Sequence, residues 1–83
     1  MAEDVLDGKE KYVSRDIVAP MPGKIIEILV KEGDLLEEYQ PVIILEAMKM
    51  ENQISCEHAG RVKEIKVSLN DAVSMRQVLV VME

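Results

Sequence analysis

The second half of this 83-residue chain repeats the first. Shifted by 37 positions, residues 17–46 fall on residues 54–83 without a gap. Ile17 meets Ile54, Gly23 meets Gly60, Glu27 meets Glu64, Ile28 meets Ile65, Val30 meets Val67, Asp34 meets Asp71, Gln40 meets Gln77 and Glu46 meets Glu83. These eight identities in thirty pairs compare with about two or three from composition alone. Lys24 with Arg61, Ile25 with Val62 and Leu36 with Val73 are close substitutions, and Val42-Ile43-Ile44-Leu45 falls on Leu79-Val80-Val81-Met82. Two like stretches imply an internal pseudo-two-fold axis. Neither is long enough to bury its own apolar face, so the two are expected to complete one shared core.

The chain has room for one small domain and no second core. Two Tyr and no Phe or Trp leave an aliphatic core, and eight Ile with eleven Val lean it toward strands, whose pleated surface suits branched side chains. Residues 1–16 carry eight charged side chains and no sustained periodicity, and are read as a flexible lead-in; the domain proper is placed at 17–83. Within it, Lys24 to Lys31 reads as a strand, Glu32-Gly33-Asp34 as a turn, Leu35-Leu36 as a short apolar pair and Val42 to Glu46 as a buried strand. Val62, Ile65 and Val67 break strict alternation, which predicts a β-bulge near residues 63–64 and, by the repeat, near 26–27. No stretch carries a helical stripe. The fold class is all-β.

Several functions are excluded early. A net charge of -6 and the absence of an aromatic platform argue against nucleic-acid binding. The longest apolar runs are far short of a membrane span, and residues 1–16 contain no apolar stretch of a secretory signal, so no membrane insertion is expected. The single Cys56 has no partner for an internal disulfide, which is compatible with a reducing compartment, cytoplasm or organelle matrix. Cys56 and His58 would share a face if they lay on a strand, but two ligands do not make a metal site. A deep catalytic pocket would compete with so small a core for residues, which favours a carrier or interaction module.

Only Ala47-Met48-Lys49-Met50-Glu51-Asn52-Gln53 is left unmatched between the repeats. Because it joins symmetry mates, it should lie near the pseudo-axis at one end of the molecule, as a hairpin with its tip at Met48-Lys49. Primed hairpin turns favour Gly or Asn, and neither stands at the tip. A turn kept with unfavourable residues is a place where function is stored. Lys49 is singled out by position, and a lysine at a hairpin tip offers its amine to another enzyme for acylation. Glu46 and Glu51 bracket the turn as solvated carboxylates suited to docking rather than to acid–base work.

Glu46-Ala47-Met48-Lys49-Met50 resembles the attachment motif of the biotinyl domains of biotin-dependent carboxylases, decarboxylases and transcarboxylases, and Ala19-Pro20-Met21-Pro22-Gly23 resembles the same family's N-terminal signature. The resemblance covers residues 17–83. It implies a flattened β-barrel or sandwich of two four-stranded antiparallel sheets, the hammerhead or barrel-sandwich hybrid, with biotin carried covalently on Lys49. It also implies that Glu46, Ala47, Met48 and Met50 serve recognition by biotin protein ligase. The further partners would be biotin carboxylase and carboxyltransferase or decarboxylase domains, with the module itself non-catalytic. The ungapped repeat leaves no room for the thumb insertion of some bacterial carriers, so the chain resembles the thumbless class. Lipoyl carriers of 2-oxoacid dehydrogenases and unmodified hammerhead interaction domains are the alternatives; a lipoyl lysine typically lies in an Asp-Lys-Ala-like context rather than between methionines. Tyr39 and Arg76 stand where relatives often carry Gly, and Asn70 stands opposite Gly33 in the repeat. Asn tolerates a left-handed backbone; Tyr39 and Arg76 imply turns that avoid it or carry strain.

Overall fold

A computed structural model describes residues 15–83. The lead-in expected at residues 1–16 lies outside the described residues except for Arg15 and Asp16. The described chain forms the strands β1 (Ile17–Val18), β2 (Gly23–Ile28), β3 (Leu35–Leu36), β4 (Pro41–Ala47), β5 (Met50–Ser55), β6 (Gly60–Ile65), β7 (Ala72–Val73) and β8 (Val78–Met82). They make two four-stranded antiparallel sheets, ordered β1-β8-β6-β3 and β5-β4-β2-β7. The two orders are the same under the repeat, which maps β1 onto β5, β8 onto β4, β6 onto β2 and β3 onto β7. Each sheet therefore draws strands from both halves. Neither half makes a sheet alone.

The bulges lie where the broken alternation puts them. Register shifts between Ile25 and Glu27 in β2 and between Val62 and Glu64 in β6. Each extra residue bends its strand, so Ile28 and Ile65 return to pack against the core after an exposed Glu27 or Glu64. The strand expected over Lys24 to Lys31 ends earlier, at Ile28. Past the bulge the chain curls into the turn at Lys31–Asp34, and Val30 drops into the core outside any strand.

Between the sheets lies an aliphatic core. Ile25, Val42, Ile43, Leu45, Val62, Leu79 and Val80 are its fully buried branched side chains. Volume is exchanged across the axis: Ile25 pairs with the smaller Val62, and Val42 with the larger Leu79. At about 25 cal/mol per Å² of apolar surface, a buried side chain of this size contributes roughly 1.5–3 kcal/mol. No polar or charged side chain is buried among the described residues.

The repeated polar residues have a local purpose. Asp34 Oδ2 accepts from Lys31 N–H at 3.0 Å, and Asp71 Oδ2 accepts from Ser68 N–H at 2.9 Å. Gln40 Oε1 accepts from Glu37 N–H and Gln77 Oε1 from Ser74 N–H, both at 2.9 Å. Each identity closes a tight turn by satisfying its first amide. The turns then reach across. Gly33 N–H donates to Val62 O at 2.8 Å and Asn70 N–H to Ile25 O at 2.7 Å; Tyr39 N–H donates to Cys56 O at 2.9 Å and Arg76 N–H to Ala19 O at 2.7 Å. All four donors have left-handed backbone, with φ of 93°, 74°, 66° and 69° for Gly33, Asn70, Tyr39 and Arg76. Of the two options for Tyr39 and Arg76, the structure takes the strained one.

Although the backbone repeats, the surface does not. The exposed Glu32 and Glu38 of the first half have Leu69 and Met75 as mates, and these are 56% and 58% exposed. Glu32 also accepts from Ile65 N–H through Oε2 at 3.1 Å, a bond its mate Leu69 has no acceptor to make.

Left-handed backbone costs a residue with a Cβ roughly 1–2 kcal/mol, offset in a Gly replacement by the freer unfolded chain. Tyr39→Gly and Arg76→Gly are each expected to stabilise the fold by up to about 1 kcal/mol, raising the melting temperature by roughly 4–8 °C per kcal/mol. Asn70→Gly should gain less. Thermal melts followed by circular dichroism check this, and a lowered melting temperature for both of the first two would refute it.

Candidate functional site

The hairpin joining β4 to β5 pairs Ala47 with Met50 and leaves two residues at its apex, Met48 and Lys49. Their φ values are 55° and 65°, so both central residues are left-handed, as a type I′ turn requires. That turn matches the right-handed twist of the strands it joins, which is why a two-residue connection takes it. The cost is two side-chain-bearing residues in a conformation that suits Asn and Gly. Nothing packs on Met48 to offset it, because its side chain is 92% exposed.

Lys49 is exposed at the tip. Lys31 and Lys66 each reach a carboxylate, at 3.9 Å from Asp34 and 3.5 Å from Glu64, whereas among the described residues nothing bonds or pairs with the Lys49 ammonium. A primary amine held away from the body, without an internal partner, fits covalent attachment of an acyl group. The five residues of the motif divide by burial. Ala47 is buried at the root of the turn, Glu46 faces solvent one residue earlier, and Met48 and Met50, the latter 66% exposed, flank the lysine. Glu46 and Glu51 lie directly opposite each other on β4 and β5, both exposed, with Lys24 of β2 on the other side of Glu46.

Two supports of this hairpin carry no clear mark in the sequence. Asn52 Nδ2 donates to Met50 O at 3.2 Å, bracing β5 just behind the turn. Gly23 of β2 lies so close to the root that a Cβ there would be 2.5 Å from Glu46 O. The sequence marks it only by its recurrence as Gly60 and by its place in Ala19-Pro20-Met21-Pro22-Gly23.

Cys56 and His58 do not share a strand face. β5 ends at Ser55; the Cys56 side chain is buried and its thiol donates to Glu37 O at 2.9 Å, while His58 is exposed in the following turn. Among the described residues no three His, Cys, Asp or Glu side chains converge on one point. A groove of about 520 Å³ runs between the edge strands β1 and β5, lined by residues including Ile17, Val18, Gln53, Ile54 and His58. None of Glu46 to Met50 lines it.

Comparison with known proteins agrees with this arrangement. Residues 15–82 match the family described as biotin-requiring enzymes, the biotin and lipoyl attachment family. The biotin carboxyl carrier protein of Streptococcus mutans is 54% identical over 56 residues, which is 68% of this chain and 43% of that protein. The mitochondrial methylcrotonoyl-CoA carboxylase subunit alpha of Dictyostelium discoideum is 38% identical over 79 residues, 95% of this chain and 11% of that one. The chain thus spans under half the length of the first relative and about a tenth of the second. Urea carboxylase of Kluyveromyces lactis superposes with a TM-score of 0.79 over the whole chain and 7% of its own length; at 24% identity this shows the shared fold. With two symmetric four-stranded sheets, a lysine presented at the hairpin tip and a family match over residues 15–82, the chain belongs to the biotin-attachment family of biotin-requiring enzymes, as a biotin carrier module.

Proposed function

We propose that Lys49 is the attachment residue and that this chain is the carboxyl-carrier domain of a biotin-dependent carboxylase, decarboxylase or transcarboxylase. The observation that carries the reading is an amine with no partner among the described residues, at the apex of a strained two-residue turn between two exposed methionines. The uncharged Lys49 amine is the nucleophile that attacks the acyl carbon of biotinyl-adenylate on a biotin protein ligase; the amide forms, the acyl–phosphate bond breaks, AMP leaves and the nitrogen loses a proton. Once attached, biotin supplies a ureido nitrogen able to accept and release a carboxyl group. The protein's own part is mechanical. The shell holds Lys49 outward at the tip of the hairpin. The tether raises the arm's effective concentration at each catalytic site of the assembly. Glu46, Ala47, Met48 and Met50 present the ligase with one buried and three exposed features in fixed register. The carrier is non-catalytic in this reading, and the sites that load and unload the carboxyl group belong to biotin carboxylase and carboxyltransferase or decarboxylase partners. A cytoplasmic or matrix compartment goes with it, where the Cys56 thiol stays reduced.

Two variants test the assignment. Lys49→Arg keeps charge and exposure but lacks the acylable amine. After incubation with biotin protein ligase, biotin and ATP, its intact mass should be unchanged while the parent chain gains one biotinyl group; mass gained by the variant would place the attachment elsewhere. Met48→Asn suits the type I′ turn better and should stabilise the fold by up to about 1 kcal/mol. It should also slow labelling through loss of the flanking thioether. A thermal melt and a labelling time course read the two effects separately.

A further inference from the structure

We propose that Gly23 is the positioning residue for the Lys49 arm, fixing where the hairpin leaves the sheet. This rests on Lys49 as the attachment residue. The last pair between β2 and β4 is Lys24 with Glu46; past it, Ala47 to Met50 continue with only each other as strand partners. Gly23 flanks that last pair. Its φ is not in the left-handed region, so backbone freedom is not what the position demands. It demands closeness. A Cβ at residue 23 would lie 2.5 Å from Glu46 O and 3.0 Å from Leu45 Cγ, and the first of these is backbone that cannot rotate aside.

The repeat provides the control. Gly60 is the mate of Gly23, and Glu83 is the mate of Glu46. At Gly60 the same Cβ would sit 3.7 Å from Glu83 O, and its nearest neighbour would be Met82 Cε, at 3.4 Å, the free end of a flexible side chain. The two halves otherwise share strand order and bulges, yet a Cβ would run into backbone at residue 23 and only into ordinary contact at residue 60. The symmetry is broken at the root of the arm. With a side chain at residue 23, Glu46 O must move away from β2, the last pair opens, and the unsupported arm lengthens toward Leu45. The lysine then samples a wider cone.

The test compares Gly23→Ala with Gly60→Ala in the full chain, at a temperature where circular dichroism shows both folded. Initial rates of labelling by biotin protein ligase, with biotin and ATP, are measured together with amide hydrogen exchange. Gly23→Ala should label about tenfold more slowly, the order of effect that a small misplacement of a reacting group produces, while Gly60→Ala matches the parent. Exchange should quicken at Met48 to Glu51 in Gly23→Ala and stay unchanged at Val80 to Met82. Parent-like labelling by Gly23→Ala, or protection lost evenly through the core, would overturn the proposal. So would failure of Gly23→Ala to fold at any temperature, since the contact would then serve the whole shell and not the arm. A parent chain that takes no label refutes the attachment reading instead, and the exchange contrast between the two variants still decides the role of Gly23.

Discussion

The amides of Gly33, Tyr39, Asn70 and Arg76 all donate to carbonyls of the opposite repeat, and left-handed backbone at each is what turns the N–H across the axis. These bonds make the molecule indivisible. A thirty-residue half cannot close its own sheets, because the edge β3 pairs with β6 and the edge β7 pairs with β2. It cannot satisfy these four amides either, because their acceptors sit on the other half. The strain at Tyr39 and Arg76 persists because the surrounding bonds and the common core over-determine it. Folding should accordingly be cooperative across all the described strands, with little meaning attached to a half-folded state.

That stiffness is what allows the hairpin tip to hold residues that turn preference does not favour. Met48 and Lys49 occupy two left-handed positions with no packing to compensate Met48, yet the strands behind them are anchored by Leu45 in the core and by Asn52 on the Met50 carbonyl. In a loosely built domain the same tip would relax into a longer loop. The aliphatic core and the strained tip are thus parts of one device: the first supplies rigidity, and the second spends it on display of one amine.

Much of this was legible beforehand, for physical reasons that differ by residue. The repeat was visible because Asp34, Asp71, Gln40 and Gln77 clamp turns through their side chains, and such positions tolerate few alternatives. The bulges were visible because an extra residue shifts the two-residue alternation, as Val62 and Ile65 record. The hairpin was visible as what the repeat failed to cover. The early end of β2 at Ile28 was not, since Leu29 and Val30 continue the apolar pattern while the backbone has already left the sheet. The Ala19-Pro20-Met21-Pro22-Gly23 motif set Gly23 apart from Gly60 without showing the contact behind it. One lies against a carbonyl and the other has space, and only coordinates separate contact from permissiveness. The fate of Tyr39 and Arg76 was likewise open, because side-chain identity opposed the conformation that the cross-axis bonds impose.

A body with two-fold backbone symmetry would ordinarily look alike to a visitor approaching from either flank. Here the acidic Glu32 and Glu38 on one flank give way to Leu69 and Met75 on the other. The surface therefore has a handedness that the backbone lacks: a half-turn about the axis sets exposed apolar side chains where exposed carboxylates had been.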